Sequence, residues 1–146
     1  SCIQSKSTMK KFFFLLFLPL FSIAQQPTDI ARWEETAKRV NIIRDKWGIP
    51  HIYGKTDADC VFGLLYAQCE DDFQRVEMNY ITMLGRSSEV NGEKDLYEDL
   101  LVRMVIDTTE AIKDYERSPD WLKKLLNSFA DGVNYYLYKH PHIDYL

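Results

Sequence analysis

The sequence predicts an α+β chain: one β-hairpin followed by three or four helices. Three observations carry that prediction. Between positions 40 and 54, β-branched and polar residues form two short runs on either side of Lys46-Trp47-Gly48. From Thr56 onward, apolar residues recur at three- and four-residue steps, the helical period. Further along, Ser118-Pro119-Asp120 combines a capping hydroxyl, a first-turn proline and an acid, a helix opening.

Taken in order, the chain begins with residues to be set apart from the fold. Met9 is followed by Lys10 and Lys11, then by an apolar run from Phe12 to Phe21 interrupted by Pro19, then by Ser22-Ile23-Ala24. A positive stretch, a short apolar stretch and small residues at the cleavage positions read as a secretory signal peptide over residues 9–24, cut after Ala24. Residues 1–8 are upstream sequence or an extended positive region. The apolar run is about ten to twelve residues, against roughly 20 needed to span a bilayer. No Cys follows it to carry a lipid, so no stable membrane anchor is expected, and the mature part from residue 25 is expected to be secreted, periplasmic or extracellular.

Gln25 to Thr28 is a polar linker, and Asp29 to Lys38 a short helix capped by Thr28. Val40 to Asp45 and Ile49 to Gly54 are the hairpin strands. Ile49, His51 and Tyr53 share one face; Pro50 and Ile52 share the other, and Pro50, lacking an N–H, belongs at a strand start or an edge. A long helix runs from Thr56 or Asp57 to Gly85, with Ser87 to Val90 as one more turn. A further helix from about Tyr97 to Tyr115 turns Leu100, Leu101, Met104, Val105, Ile112 and Tyr115 inward. The last helix carries the stripe Leu122, Leu125, Leu126, Phe129, Val133, Tyr136 and Leu137, and closes at Lys139-His140-Pro141. A lone hairpin is marginal in water and no further strands are present to complete its sheet, so residues 25–146 are expected to be the N-terminal part of a longer segment.

Composition narrows the function classes. Without Lys6, Lys10 and Lys11, 15 of the 18 basic residues face 22 acidic ones, a net of about −7. No basic stripe remains for a phosphate backbone, which argues against nucleic acid as a partner. Cys60 and Cys69 lie nine apart on one helix, about 13 Å along its axis, too far for a disulfide. No CxxC or HxxxH pair offers a metal site, so both are expected to be small buried side chains.

Candidate chemistry is sparse. There is no GxSxG elbow and no SxxK, and no His lies near Ser87 or Ser88 in sequence. The thiolate of Cys69 is disfavoured beside Glu70-Asp71-Asp72. These three acids fan around a helix and do not converge on a metal; they are expected to form a solvated face, with one paired to Arg75 or Arg86, or with Asp71 or Asp72 in a buried pair that fixes the helix. His140 and His142 read as solvated loop residues, and His51 as a structural histidine fixing the hairpin to the helix behind it. The residues themselves therefore define no catalytic, cofactor-binding or metal site.

The stretch Ile43-Arg44-Asp45-Lys46-Trp47-Gly48-Ile49-Pro50-His51-Ile52-Tyr53-Gly54 resembles the start of the α chain in the penicillin acylase family of N-terminal nucleophile hydrolases. The resemblance continues through Phe62 to Gln68, Glu70 to Phe73, Glu77-Met78, Leu84-Gly85-Arg86, Glu89-Val90 before Gly92, and Phe129 to Tyr136, covering about residues 40–140. One departure is Asp72, where many relatives carry Arg.

The resemblance implies a four-layer αββα sandwich in the full-length protein and a secreted precursor that cleaves itself. Its new β-segment N-terminus, usually Ser, would attack a linear amide through its hydroxyl, with its own amino group as base. Backbone amides and an Asn of that segment would stabilise the oxyanion. The implied partners are the β segment, as a heterodimer, and a small N-acyl substrate. No catalytic residue transfers to this chain, whose blocks match scaffold. No cofactor is implied; calcium occurs in some members, and no ligand for it is recognisable here. The competing expectation is a complete small secreted helical interaction protein without catalysis.

Overall fold

The computed structural model describes residues 28–146; the expected signal peptide at 9–24 lies outside them. The elements are α1 (Asp29–Ala37), β1 (Asn41–Arg44), β2 (Pro50–Tyr53), α2 (Asp57–Met83), α3 (Ser87–Asn91), a 3-10 turn (Glu93–Asp95), α4 (Leu96–Val105), α5 (Thr108–Arg117) and α6 (Asp120–Lys139).

Local sequence explains the starts of α1 and α2. The Thr28 hydroxyl accepts from the Ala31 N–H at 3.4 Å, and the Thr56 hydroxyl accepts from the Asp59 N–H at 3.2 Å. The strands pair antiparallel with Asn41 opposite Tyr53 and Arg44 opposite Pro50. Pro50 is the first residue of its strand, the position a residue without an N–H tolerates. Ile42, Pro50 and Ile52 are half-buried and face α2, while Ile43, Ile49, His51 and Tyr53 point to solvent, as the two-residue period requires.

The core lies between α2 and α6. Leu65, Cys69, Phe73 and Val76 pack on Val133 and Tyr136, with Val61, Tyr66, Leu137 and Ile143 around them. Phe73 stacks on Tyr136 at 5.7 Å between ring centroids, and Tyr66 meets Tyr136 edge-on at the same distance. Gly132 lets the two helices touch: a Cβ there would lie 2.5 Å from the Phe62 carbonyl oxygen. Gly63 does the same for the hairpin, since its Cβ would meet Val40 Cγ1 at 2.5 Å and Ile52 Cγ2 at 2.8 Å.

Four expectations are corrected. The long helix is broken at Asp72, whose backbone is extended at φ −161°, ψ 81°. There the Asp72 carboxylate accepts from the Arg75 N–H at 3.0 Å, capping the second half from inside. The helix expected over Tyr97 to Tyr115 is two helices, because the Asp107 carboxylate accepts from the Thr109 N–H at 2.8 Å and starts α5 anew. Leu100, Leu101, Met104, Val105, Ile112 and Tyr115 are exposed and not inward-facing; Met104 is 84% exposed. Finally, Ser118 does not cap α6: its hydroxyl donates to the Asp114 carbonyl at 2.7 Å and closes α5.

Candidate functional site

The residues of the first motif converge on the hairpin turn. Asp45 accepts the N–H groups of Trp47 at 2.8 Å and Ile49 at 3.0 Å, which folds the turn around one carboxylate. Burial pushes the Asp45 carboxyl up, but those two bonds and His51 outweigh it and hold it below the usual carboxylate range. His51 Nε2 lies 3.6 Å from Asp45. The expectation that His51 ties the hairpin to the helix behind is therefore corrected: its ring is exposed on the outer face and supports the turn.

Arg44 makes the joint between hairpin and helix. Its guanidinium donates to the Gly48 carbonyl at 2.9 Å and to Glu70 at 3.1 Å, and pairs with Asp71 at 2.8 Å. Asp72 turns away to Arg75 at 3.0 Å, while Arg86 pairs with Glu89 at 2.6 Å. The acidic run is thus divided between two arginines, and neither Asp71 nor Asp72 is a buried pair. An open groove of about 860 Å³ lies beside this joint, lined by Arg44, Trp47, Glu70, Asp71, Tyr136 and His140. His140 is exposed just past α6, as expected, and its ring also stacks on Tyr136 at 4.2 Å, with Nδ1 2.9 Å from the Tyr136 carbonyl oxygen.

Two of the candidate nucleophiles, Ser87 and Cys69, are buried. Ser87 is buried, and its hydroxyl donates to Thr82 Oγ1 at 3.2 Å. The N–H groups of Ser87 and Ser88 each donate to Asp99 at 2.7 Å. Burial pushes the Cys69 thiol up to about 11, so it stays protonated, and Cys60 is only half-buried. Among the described residues no three His, Cys, Asp or Glu side chains converge as a metal site, and no helix is long and apolar enough to cross a membrane.

Three buried or half-buried acids went unrecognised in the sequence. Asp59, 2% exposed, takes the Arg39 fork at 2.8 Å and 3.2 Å. Asp131 accepts from the Trp33 indole at 2.8 Å and pairs with Arg32, pinning α1 to α6. Asp99 holds the corner after α2. The available signals were Thr56-x-x-Asp59, a capping-box spacing, and Asp99 four residues before Arg103 on one helical face.

Arg44 thus locks the hairpin onto a bent helix, and the Ser87 hydroxyl and the Cys69 thiol are taken up by packing. Residues 39–145 match the model of the family described as Penicillin amidase, and the chain belongs to that family. It is 32% identical over 98 residues to penicillin acylase 2 proenzyme of Pseudomonas sp. (strain SE83), covering 67% of this chain and 13% of that protein. It is also 32% identical over 104 residues to acyl-homoserine lactone acylase QuiP of Pseudomonas syringae pv. tomato, covering 71% of this chain and 13% of that protein. The fold matches the thermostable penicillin G acylase of Alcaligenes faecalis with a TM-score of 0.64 at 22% identity, over 70% of this chain and 54% of that one. The chain thus spans about 13% of the length of the curated relatives it matches.

Proposed function

We propose that these residues are the opening scaffold of a secreted acylase precursor that hydrolyses a linear amide between an acyl group and an amine. The nucleophile is supplied by a segment outside the 146 residues, as a hydroxyl freed by self-cleavage. Its oxygen attacks the acyl carbon, the C–N bond breaks, the amine leaves with a proton, and water then releases the acid. The role of the present residues is to seat the sheet's first hairpin and cover it with helices, part of a four-layer sandwich.

One observation carries this reading. The family match falls on the residues that lock the hairpin to α2 and pack α2 on α6, while the outward faces carry unburied large apolar side chains. Trp47, Ile49 and Tyr53 on the hairpin, and Tyr97, Leu101 and Met104 on α4, are more than half exposed. A side chain of this size gains about 1.5–3 kcal/mol on burial, so these faces favour cover by further chain. A self-contained helical interaction protein is the less favoured reading for the same reason.

The test is to express the whole reading frame that carries these residues and incubate the product with acyl anilides of short aromatic and longer aliphatic acyl groups. Release of free aniline together with two processed chains is the expected result. A folded product that stays in one piece and releases none would overturn the proposal.

A further inference from the structure

The corner after α2 is held by side chains of α4. Asp99 and Arg103 sit one turn apart on the same face of α4. The Asp99 carboxylate takes the N–H groups of Ser87 and Ser88, both at 2.7 Å, and the Arg103 Nε donates to the Gly85 carbonyl at 2.9 Å. One helical face thus grips three backbone groups of residues 85–88, acid on donors and guanidinium on acceptor. The fit is close, since a Cβ on Gly85 would lie 2.9 Å from both Arg103 Cγ and the Asp99 carbonyl oxygen.

Beyond that grip, α4 and α5 are weakly held among the described residues. Asp99 is the buried residue of α4, and α5 buries none. A cleft of about 480 Å³ opens beneath them, lined by Met83, Leu84, Val102, Ile106 and Ala111. Their further ties to α6 are exposed: Tyr115 to Asn127 at 2.9 Å, Lys123 to the Glu116 carbonyl at 2.6 Å, and the Lys123 ammonium over the Tyr115 ring at 5.9 Å. Both ends are built to turn. Gly92, at φ 80°, ψ −165°, occupies backbone space open essentially to glycine alone, and Ser118-Pro119 breaks the chain before α6.

We propose that α4 and α5 form a hinged arm that opens as a unit, and that the Asp99–Arg103 clasp on the Gly85–Ser88 corner is its latch. Asp99 and Arg103 act as positioning residues: they set where the apolar side of the arm, including Tyr97, Leu101 and Met104, stands relative to the α2–α6 core and so, on the function proposed above, where it meets the further chain that covers it. A segment with few buried apolar contacts opens locally at a lower free energy than the core, so removing its latch loosens that segment first.

The test is amide hydrogen exchange on the whole protein carrying these residues, comparing wild type, Asp99→Asn, Arg103→Gln and the double variant. In the single variants, exchange over residues 96–117 is expected to rise at least about tenfold, while residues 61–76 and 133–137 keep their protection. The double variant should add little, because the clasp works as one unit. Unchanged exchange over 96–117 would overturn the proposal, as would a rise shared equally by the core. Should Asp99→Asn fail to fold, Arg103→Gln, which removes a single contact to Gly85, decides between the same two outcomes.

Discussion

Gly132→Ala puts the helix–helix contact at the centre of the fold to a quantitative test. On helix propensity alone, alanine would gain about 1 kcal/mol over glycine within α6. The packing opposes this. The new methyl would sit 2.5 Å from the Phe62 carbonyl oxygen, 3.0 Å from Leu65 Cβ and 3.3 Å from the Phe62 carbonyl carbon. A carbon–oxygen contact is comfortable at about 3.3 Å or more, so α6 must withdraw by roughly 0.8 Å. The obstacle is α2 backbone and has no rotamer to yield. A gap of that size forfeits about a quarter to a half of the dispersion energy where Val133 and Tyr136 meet Leu65 and Phe73. Overpacking costs about 1–3 kcal/mol, to which lost core contacts add, so the net effect is a loss of about 1–2 kcal/mol or more. In a chain of this size that lowers the melting temperature by roughly 2–8 °C. Thermal unfolding followed by circular dichroism reads this, with Asn134→Ala, an exposed position on α6, as the reference. A Gly132→Ala variant as stable as wild type, or more so, would refute the close-approach argument.

Three further outcomes follow from single residues. Hydrogen bonding to Arg39 holds the Asp59 carboxyl below its ordinary range, against the opposing effect of burial. A depressed folded value means that the stabilisation is present above about pH 4 and is lost as pH falls through that value. Asp59→Asn should therefore cost roughly 1–2 kcal/mol at pH 7, discounted because the Arg39 side chain is 39% exposed, and the two stability curves should converge towards pH 2; parallel curves would count against the pair. Cys69, at about 11, holds about a thousandth of its thiol as thiolate at pH 8, so iodoacetamide should leave it unmodified in the folded protein while reaching it after denaturation. Asp107→Ala removes the cap of α5 and should cost about 0.5–2 kcal/mol, seen as faster amide exchange confined to residues 108–117.

The hairpin and the long helical stripe were legible because their signals are local. Two-residue alternation placed Pro50 and Ile52 on the face opposite Ile49, His51 and Tyr53, without saying which face is buried, and Gly48 marked the turn. The breaks within helices were less legible, because apolar spacing carries through them. Val105 and Ile112 are seven apart and read as one face, yet Asp107 spends its carboxylate on Thr109 and restarts the chain. Asp72 hides in the same way within an acidic run, where only the Arg75 N–H reveals its cap. The direction of the α4 face was misread for a different reason. An apolar stripe predicts burial against something, and nothing in a stripe says whether that something lies among the same residues. The role of His51 depended on Asp45, six residues away across the turn, a contact that spacing alone leaves open.

The central claim is that this chain is scaffold and that the acylase nucleophile lies outside it. The most direct measurement is to treat the active full-length protein with a hydroxyl-directed sulfonyl fluoride until turnover stops, then map the adduct by peptide mass spectrometry. The account predicts one adduct, on the N-terminal residue of a processed chain beyond these 146 residues, with Ser87, Ser88 and Cys69 unmodified. An inactivating adduct on any residue between 28 and 146 would contradict it.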